Sequence, residues 1–396
     1  NELWNGNSSL EKWQRNMQDR DNNYLDVAMN YINAGLFDDG LSLLSSIKEP
    51  KNPLVFYYLA WLYGNSNQPS KAAQLLSNVN TVSFDYCFPY RKETETILKY
   101  AIEKDPQSAN AYYLLGNLLY DNRPSDAINA WRKAAQLDKS HAMTWRNLAF
   151  GAFYMSKKTD SAIYFQKKAI AEDKSHPLWF AELANYYDLS TLGSKEILSI
   201  LEDNKEVVKK DILAPQYLVK LYNLNGDYDK AIALLKTHHF RTWEGGTAIH
   251  DDYVDAHVLK ALALMRNQKF ENAINKLEDA FLYPENLEVG KSLNDNRNAM
   301  IYYFMAENYK RLHKVKKARE CYRRSVQAKN GYGWEDLIYY QAKSFKELGE
   351  PQKADELFKA LIEKGKLLIE KGSGNTGIAV ENASANENKH ISEGYY

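Results

Sequence analysis

The 396-residue sequence contains little proline, glycine and cysteine. Its 10 prolines and 19 glycines supply too few turn residues for an all-β protein, whose many short strands need frequent turns. The two cysteines, Cys87 and Cys321, lie far apart, and neither has a Cys or His neighbour at metal-ligand spacing. We therefore expect neither a disulfide framework nor a metal site. Two thiols fit a cytoplasmic or an exported protein equally.

The sequence also lacks an excess of one charge and a long apolar run. Its 51 basic residues balance 51 acidic ones, so no overall field would attract nucleic acid, and we expect no such partner. No run approaches the 18 apolar residues that indicate a membrane-spanning helix. The chain opens at Asn1 without an initiator methionine or a leader pattern, which predicts a processed product or a fragment of a longer protein.

Tyrosine, by contrast, is abundant. The chain has 29 Tyr against 14 Phe and 8 Trp, within a hydrophobic content of 44%. This apolar content is too high for a disordered chain. Because a tyrosine hydroxyl needs water or a hydrogen-bond partner, many of these rings are expected at helix contacts or on a binding surface.

A two-helix unit recurs along the chain with a period of about 34 residues. Ala127 and Ala162 lie about 35 positions apart, as do Ala134 and Ala169, a spacing that one amphipathic helix does not explain. The clearest copies are Tyr112, Leu115, Gly116, Leu119, Ala127, Trp131 and Ala134, then Trp145, Leu148, Ala149, Ala152, Ala162, Gln166 and Ala169. Small residues midway through the first helix and early in the second allow close backbone approach, so successive pairs can stack into one core. The alternative is an irregular bundle of ordinary amphipathic helices.

The pattern resembles the tetratricopeptide repeat, whose signature begins Trp-x2-Leu-Gly-x2-Tyr. Tyr112-x2-Leu115-Gly116 and Trp145-x2-Leu148-Ala149 are the best matches, although the closing proline is mostly missing. The resemblance implies an all-α fold, a right-handed α-solenoid of about nine helix pairs over residues 1–370.

Three irregular insertions are expected near residues 77–92, 238–252 and 283–296. Their aromatic-Pro-Tyr-Arg, Trp-Glu-Gly-Gly and Tyr-Pro-Glu-Asn-Leu motifs resemble the C-terminal repeat region of large bacterial proteins that carry an uncharacterised, mutarotase-like β domain ahead of the repeats. That resemblance implies a domain fragment. Residues 371–396 are rich in Gly and Asn and are expected to be a polar segment that ends in the start of a further repeat.

No motif indicates catalysis or a cofactor. Gly372 to Gly377 has the letters of a dinucleotide fingerprint, but it follows a helix instead of a strand, so we interpret it as a linker and expect no cofactor. His250, Asp251, Asp252 and His257 crowd one stretch, yet their spacing does not complete a metal site. We expect them to be solvated or to cap a helix. We therefore predict a protein that is not an enzyme.

The binding surface can be predicted from the repeat positions. In such stacks the first helix of each pair, called helix A here, lines the concave face. That rule gives a groove of Tyr57, Trp61, Tyr113, Asn117, Tyr120, Arg146, Phe150, Asn185, Tyr303 and Lys310. A second candidate is the loop Trp243, Glu244, Gly245 and Gly246, whose glycines could expose backbone amides beside an aromatic ring. The simpler alternative is a Gly-hinged loop in which Trp243 fills a gap between repeats.

The groove composition predicts a scaffold that binds a protein or peptide, and a β domain of the same polypeptide is one candidate. The alternative is an accessory carbohydrate-binding module, with Trp243 and Glu244 contacting sugar. Asn117 and Asn147 match the asparagines of the clamp with which some tetratricopeptide domains hold a terminal carboxylate. Tyr113, Leu178 and Glu182 stand where that clamp needs cations, so a carboxylate ligand is not expected.

Overall fold

A computed structural model describes residues 17–18, 20–79, 82–190, 193–241, 248–291, 297–329 and 337–372. Every regular element in these ranges is helical, which confirms the predicted all-α class. None of the described helices has the length and apolarity to cross a membrane.

The chain divides into two compact units, Asn1–Lys174 and Ser175–Tyr396. Within each unit, helices that follow one another in the chain pack together, as in the stacked helix pairs of an α-solenoid. The prediction of a single domain over residues 1–370 stays a prediction.

The first unit contains nine described α-helices and one π-helical turn. They are Asp21–Asn33 (α1), Phe37–Ser45 (α2), Pro53–Asn65 (α3), Pro69–Asn78 (α4), Thr94–Lys104 (α5), Ala109–Leu119 (α6), Pro124–Leu137 (α7), Ala142–Phe150 (α8) with the π turn Gly151–Met155, and Thr159–Glu172 (α9).

The second unit contains eleven described α-helices and a 3-10 turn. They are Pro177–Asp188 (α10), Ser194–Asp203 (α11), Lys205–Val208 (α12), Ala214–Asn225 (α13), Tyr228–Thr237 (α14), Ala248–Arg266 (α15), Phe270–Asp279 (α16), the 3-10 turn Glu285–Leu287, Asn298–Arg311 (α17), Val315–Gln327 (α18), Ile338–Leu348 (α19) and Pro351–Gly372 (α20).

Most prolines lie at the beginning of a helix and not at the end of a repeat. Six of the ten prolines occupy the first or second position of a helix, where the missing N–H has no helical partner to lose. Asn52 also caps α3, because its side-chain oxygen accepts a hydrogen bond from the Leu54 amide at 2.9 Å. Two helices end at left-handed glycines, Gly226 with φ 82° and Gly349 with φ 87°, a conformation that favours glycine.

The small residues of the repeat lie at the helix contacts, as predicted. A Cβ added to Gly116 would lie 2.4 Å from Trp131 Cδ1, so the indole of α7 occupies the space that a side chain on α6 would need. Ala127 and Ala162, the alanines that set the period, are both fully buried. The repeat positions therefore bring neighbouring backbones together and fill the remaining gap with a large ring.

The described parts of the predicted insertions are non-helical, with two exceptions. Residues 82–93 form turns and extended backbone, and residues 283–291 contain only one 3-10 turn. The first exception is the start of the 77–92 insertion, because α4 continues to Asn78. The second is the end of the 238–252 insertion, because α15 begins at Ala248. At the other end of the chain, α20 extends to Gly372, and the remainder of segment 371–396 lies outside the described residues.

Candidate functional site

Three tyrosines of the predicted groove are core residues. Tyr57, Tyr113 and Tyr303 are all buried, so the prediction that their rings line an open surface needs correction. The Tyr57 hydroxyl lies near Ser108 and Cys87, and burial is the main reason that its pKa is raised. Tyr113 packs edge-on against His141, which directly precedes α8, at a centroid distance of 4.6 Å. These rings fill the space between successive first helices, which the spacing of the repeat positions does not reveal.

Asn117 lies at the centre of a hydrogen-bond network between consecutive helix pairs. Its Oδ1 accepts from Trp131 Nε1 at 3.0 Å and from Asn147 Nδ2 at 2.9 Å. It also hydrogen-bonds the Tyr113 hydroxyl, while burial is the main reason that the pKa of Tyr113 is raised. Asn117, on α6, is therefore tied to α7 and to α8 at once.

Asn147 donates one of the two hydrogen bonds that Asn117 Oδ1 accepts. It was not among the predicted groove residues. Its side chain is partly exposed, and among the described residues its Oδ1 accepts no hydrogen bond. The carboxylate-clamp motif pairs it with Asn117, and that pairing was the available sequence signal. A half-satisfied amide at the edge of a surface can accept a hydrogen bond from a ligand N–H.

Aromatic rings continue the surface beside Asn147. Tyr120 and Phe150 meet with ring centroids 5.7 Å apart, and Phe150 packs against Tyr154 at 4.4 Å. The Arg146 guanidinium lies 5.1 Å from the centre of the Phe150 ring, within cation–π range. We name this surface the α6–α8 face and define it as Asn117, Tyr120, Arg146, Asn147, Phe150, Tyr154 and Met155.

The π turn Gly151–Met155 determines how this face ends. A π turn adds one residue to a helical turn, which changes the direction of every side chain that follows, and such turns are frequent at functional sites. Here Tyr154 and Met155 are left 45% and 46% exposed beside the aromatic rings. Neither residue was predicted from the sequence, because groove positions are counted along a regular α-helix and a π turn breaks that count.

The remaining predicted groove residues are engaged within the chain. Asn185 Oδ1 accepts from the Tyr217 hydroxyl at 3.2 Å. Lys310 Nζ lies 2.6 Å from Glu347 Oε2. Trp61 packs edge-on against Phe37 at 5.5 Å, within the first helix pairs. These contacts join neighbouring helices in each unit.

Tyr303 belongs to a separate cation–π cluster in the second unit. The Lys343 ammonium lies 4.6 Å from the centre of the Tyr303 ring and 5.4 Å from that of Tyr339. The intramolecular lysine thus occupies the aromatic surface that a ligand cation would need. Among the predicted residues that the structure describes, Asn117, Tyr120, Arg146 and Phe150 lie together on the α6–α8 face.

The histidine and aspartate stretch is a packed part of α15, which corrects the expectation that its histidines are solvated. His250 is buried and stacks on Tyr283 with ring centroids 3.7 Å apart. His257 is also buried, and burial lowers its pKa to about 4. No cluster of ligands for a metal ion occurs among the residues that the structure describes. The loop candidates Trp243, Glu244, Gly245 and Gly246 lie outside the described residues.

Comparison with known families identifies one repeat directly. Residues 336–364 match the family model of the tetratricopeptide repeat, a range that takes in α19 and the first half of α20. The chain therefore contains a tetratricopeptide repeat, which confirms the resemblance at this level. The further resemblance to bacterial proteins with an N-terminal β domain stays a prediction.

Solved structures of tetratricopeptide proteins are similar to this chain at low identity. The chain is 20% identical to YrrB, described as a TPR protein with an unusual peptide-binding site, over 46% of this chain and 90% of YrrB, with a TM-score of 0.34. It is 14% identical to the C-terminal part of a repeat protein from Cytophaga hutchinsonii, over 67% and 99% of the two chains, with a TM-score of 0.33. The TPR domain of P58(IPK) is 14% identical over 95% of this chain and 97% of that domain, with a TM-score of 0.28.

Proposed function

We propose that this protein is a non-catalytic interaction scaffold whose α6–α8 face binds an extended segment of a protein partner. The observation that carries the proposal is the Asn117–Asn147 contact, in which Asn147 Oδ1 at the edge of an aromatic surface accepts no hydrogen bond from any residue that the structure describes. Tetratricopeptide repeats generally serve protein–protein interaction, and stacked helix pairs present extended surfaces for it.

The chemistry of the face suits a peptide backbone and its side chains together. An extended peptide offers a backbone N–H at regular intervals, and Asn147 Oδ1 can accept one of them. The exposed parts of Tyr154 and Met155 offer apolar contact to the adjacent peptide side chains. Arg146 adds a cationic group, which favours a segment with an acidic or a neutral residue at that point.

Tyr120 of the face and the neighbouring Tyr113 and His141 also argue for binding without catalysis. Burial is the main reason that the pKa values of Tyr113 and Tyr120 are raised, and it lowers the pKa of His141. At neutral pH these groups are therefore uncharged, and they present hydrogen-bonding groups and rings instead of an activated acid or base. The partner is a protein or peptide, and a β domain of the same polypeptide is one form it could take.

Selection from a random peptide display library tests the proposal. The immobilised chain should enrich related peptides that bind with micromolar affinity, and Asn147→Ala should weaken their binding about tenfold, because one backbone hydrogen bond and its geometry are lost. Asn129→Ala is the matched control, since Asn129 is an exposed asparagine of α7 whose Oδ1 accepts from Arg132. Thermal melting would establish that both variants are folded.

Enrichment of peptides that bind Asn147→Ala as tightly as the unchanged chain would contradict the proposal. Failure to enrich any peptide sequence would contradict it as well.

A further inference from the structure

The first insertion holds three exposed aromatic rings in a row. Tyr86, Phe88 and Tyr90 are 92%, 69% and 61% exposed, whereas the intervening Cys87 and Pro89 are buried. Such alternation is typical of an extended segment with one side against the core. We name Tyr86, Phe88 and Tyr90 the aromatic row. The row does not belong to the α6–α8 face.

The buried side of the segment fixes the row in place. Arg91 Nε donates to Asp26 Oδ1 at 2.6 Å, and Arg91 Nη2 donates to the Asn22 carbonyl at 2.9 Å. The same guanidinium lies 4.2 Å from the centre of the Tyr90 ring, whose hydroxyl donates to Asp26 at 3.0 Å. Tyr90 is therefore held by Arg91 and Asp26 and does not rotate freely.

The backbone at the other end of the row is strained. Tyr86 has a φ of 57°, in the left-handed region that glycine and asparagine prefer, within a turn closed by the Cys87 amide and the Phe84 carbonyl at 3.2 Å. An aromatic residue in this conformation costs free energy, and its exposed ring gains nothing from packing. Strain of this kind points to a role for the side chain at the surface.

Tyr86 also lines an open cleft of about 700 Å³ between the first two helix pairs and the insertion. The cleft is polar, with the amides of Asn22, Asn23 and Asn52 among its lining groups. The charges of the lining balance, since it contains three basic residues and three acidic ones: Arg20, Lys48, Lys51, Asp21, Glu49 and Asp85. Through Tyr86 the row borders a neutral cavity that is rich in hydrogen-bonding groups, whereas Phe88 and Tyr90 lie outside its lining.

We propose that the aromatic row and this cleft bind a neutral oligosaccharide. A sugar ring has an apolar face of C–H groups that stacks on an aromatic ring, and a rim of hydroxyls that bond to amides and carboxylates. A ligand of this site needs both properties within a few ångströms. The cleft volume lies within the range of small-ligand sites and can hold a few sugar units.

Two other ligand classes fit the site less well. Nucleic acid binding depends on an excess of cations, which the balanced charges do not supply. The core of a protein interface is depleted in charged residues, whereas six charged residues line this cleft. The oligosaccharide site is independent of the peptide face, so either proposal can fail alone.

Native affinity electrophoresis of the full chain in gels containing soluble neutral polysaccharides tests this proposal. The probes are hydroxyethyl cellulose, arabinoxylan, galactomannan and a β-1,3-glucan. We expect at least one of them to retard the chain, and Phe88→Ala to weaken binding about tenfold. Phe88 is the most informative position, because its ring is exposed and lies between the other two. Tyr164→Ala is the matched control, since Tyr164 is an exposed aromatic residue of α9 in the same unit.

Four outcomes would overturn the proposal. The first is no retardation by any of the four polysaccharides. The second is equal retardation of the unchanged chain and Phe88→Ala. Retardation by heparin or poly(dT) in place of the neutral probes would assign the row to a polyanion. In the fourth outcome, peptides from the display selection bind Phe88→Ala more weakly than the unchanged chain, and no polysaccharide retards the chain. That result would assign the row to a protein partner.

Discussion

Asn147 Nδ2 donates to Asn117 Oδ1 over 2.9 Å and so joins the first helices of two consecutive pairs through their side-chain amides. The same Asn117 oxygen accepts the indole N–H of Trp131, whose ring fills the space above Gly116. One amide thus connects the packing of a helix pair to the surface beside it. Its removal should affect both stability and binding.

Replacement of Asn117 by leucine should lower the free energy of unfolding by about 1 to 3 kcal/mol. The buried Trp131 Nε1 would lose its acceptor, and an unsatisfied buried donor carries a desolvation cost of that size. Urea unfolding followed by tryptophan fluorescence measures the change. Asn129→Leu, at an exposed position of α7, should stay within about 0.5 kcal/mol of the unchanged chain. If Asn117→Leu were as stable as Asn129→Leu, the hydrogen bond between Trp131 Nε1 and Asn117 would not stabilise the core.

Gly116→Ala should destabilise the protein by about 1 to 3 kcal/mol, because the new methyl group would lie 2.4 Å from Trp131 Cδ1 and the indole would have to move. Gly40→Ala is the matched control within a helix of the same unit. A Cβ at Gly40 meets its nearest atom at 3.6 Å, so we expect a gain of about 0.5 to 1 kcal/mol from helix propensity. The two substitutions should therefore shift the urea midpoint in opposite directions. A shift in the same direction would contradict the described contact between α6 and α7.

The buried His257 should make the second unit less stable in mild acid. Burial lowers its pKa to about 4, so the unfolded chain takes up a proton between about pH 6.5 and pH 4 that the folded chain does not. The contribution of His257 to the free energy of unfolding is therefore fully present above pH 6.5. It is lost as the pH falls, by about 2 to 3 kcal/mol in total. His257→Phe should remove this dependence, measured as the difference in unfolding free energy from the unchanged chain at pH 7.5 and pH 4.5.

Asp252, on the same helix, should act in the opposite direction. Burial, followed by the neighbouring Asp255, raises the pKa of Asp252 to about 7, so the folded chain holds a proton there that the unfolded chain releases above about pH 4. Stability is therefore lost as the pH rises from about 4 to 7. Asp252→Asn should be more stable than the unchanged chain by about 1 to 3 kcal/mol at pH 8 and nearly equal to it at pH 4. A variant that is less stable at pH 8 would show that the carboxylate is stabilised in its charged form.

The sequence predicted the helix pairs and their small contact residues well. Small residues such as Gly116, Ala127 and Ala162 recur at the same positions of successive repeats, because two helix backbones can approach closely only where the side chains are small. Since every repeat has the same helix contact, the sequence shows this requirement as a regular spacing. The beginning of α15 at Ala248 was placed inside a predicted insertion, although Thr247 and Asp251 are residue types that mark a helix start at these positions.

The site was predicted less completely, for physical reasons that particular residues illustrate. Tyr57 carries the pattern of a groove residue, but it is buried near Ser108 and Cys87, and such long-range contacts leave no periodic signal. Tyr154 and Met155 reach the surface through a π turn, which changes the register of a helix without a characteristic residue type. Asn147 could be found only by analogy with a clamp whose cations are missing here.

Hydrogen–deuterium exchange of the chain with and without a display-selected peptide shows where the peptide binds. We predict slower exchange in residues 109–120 and 142–155, which carry the α6–α8 face, and the same pattern in Asn129→Ala. In Asn147→Ala that protection should largely disappear at the same peptide concentration. Protection confined to other helices, or an undiminished footprint in Asn147→Ala, would contradict the assignment of this face as the binding surface.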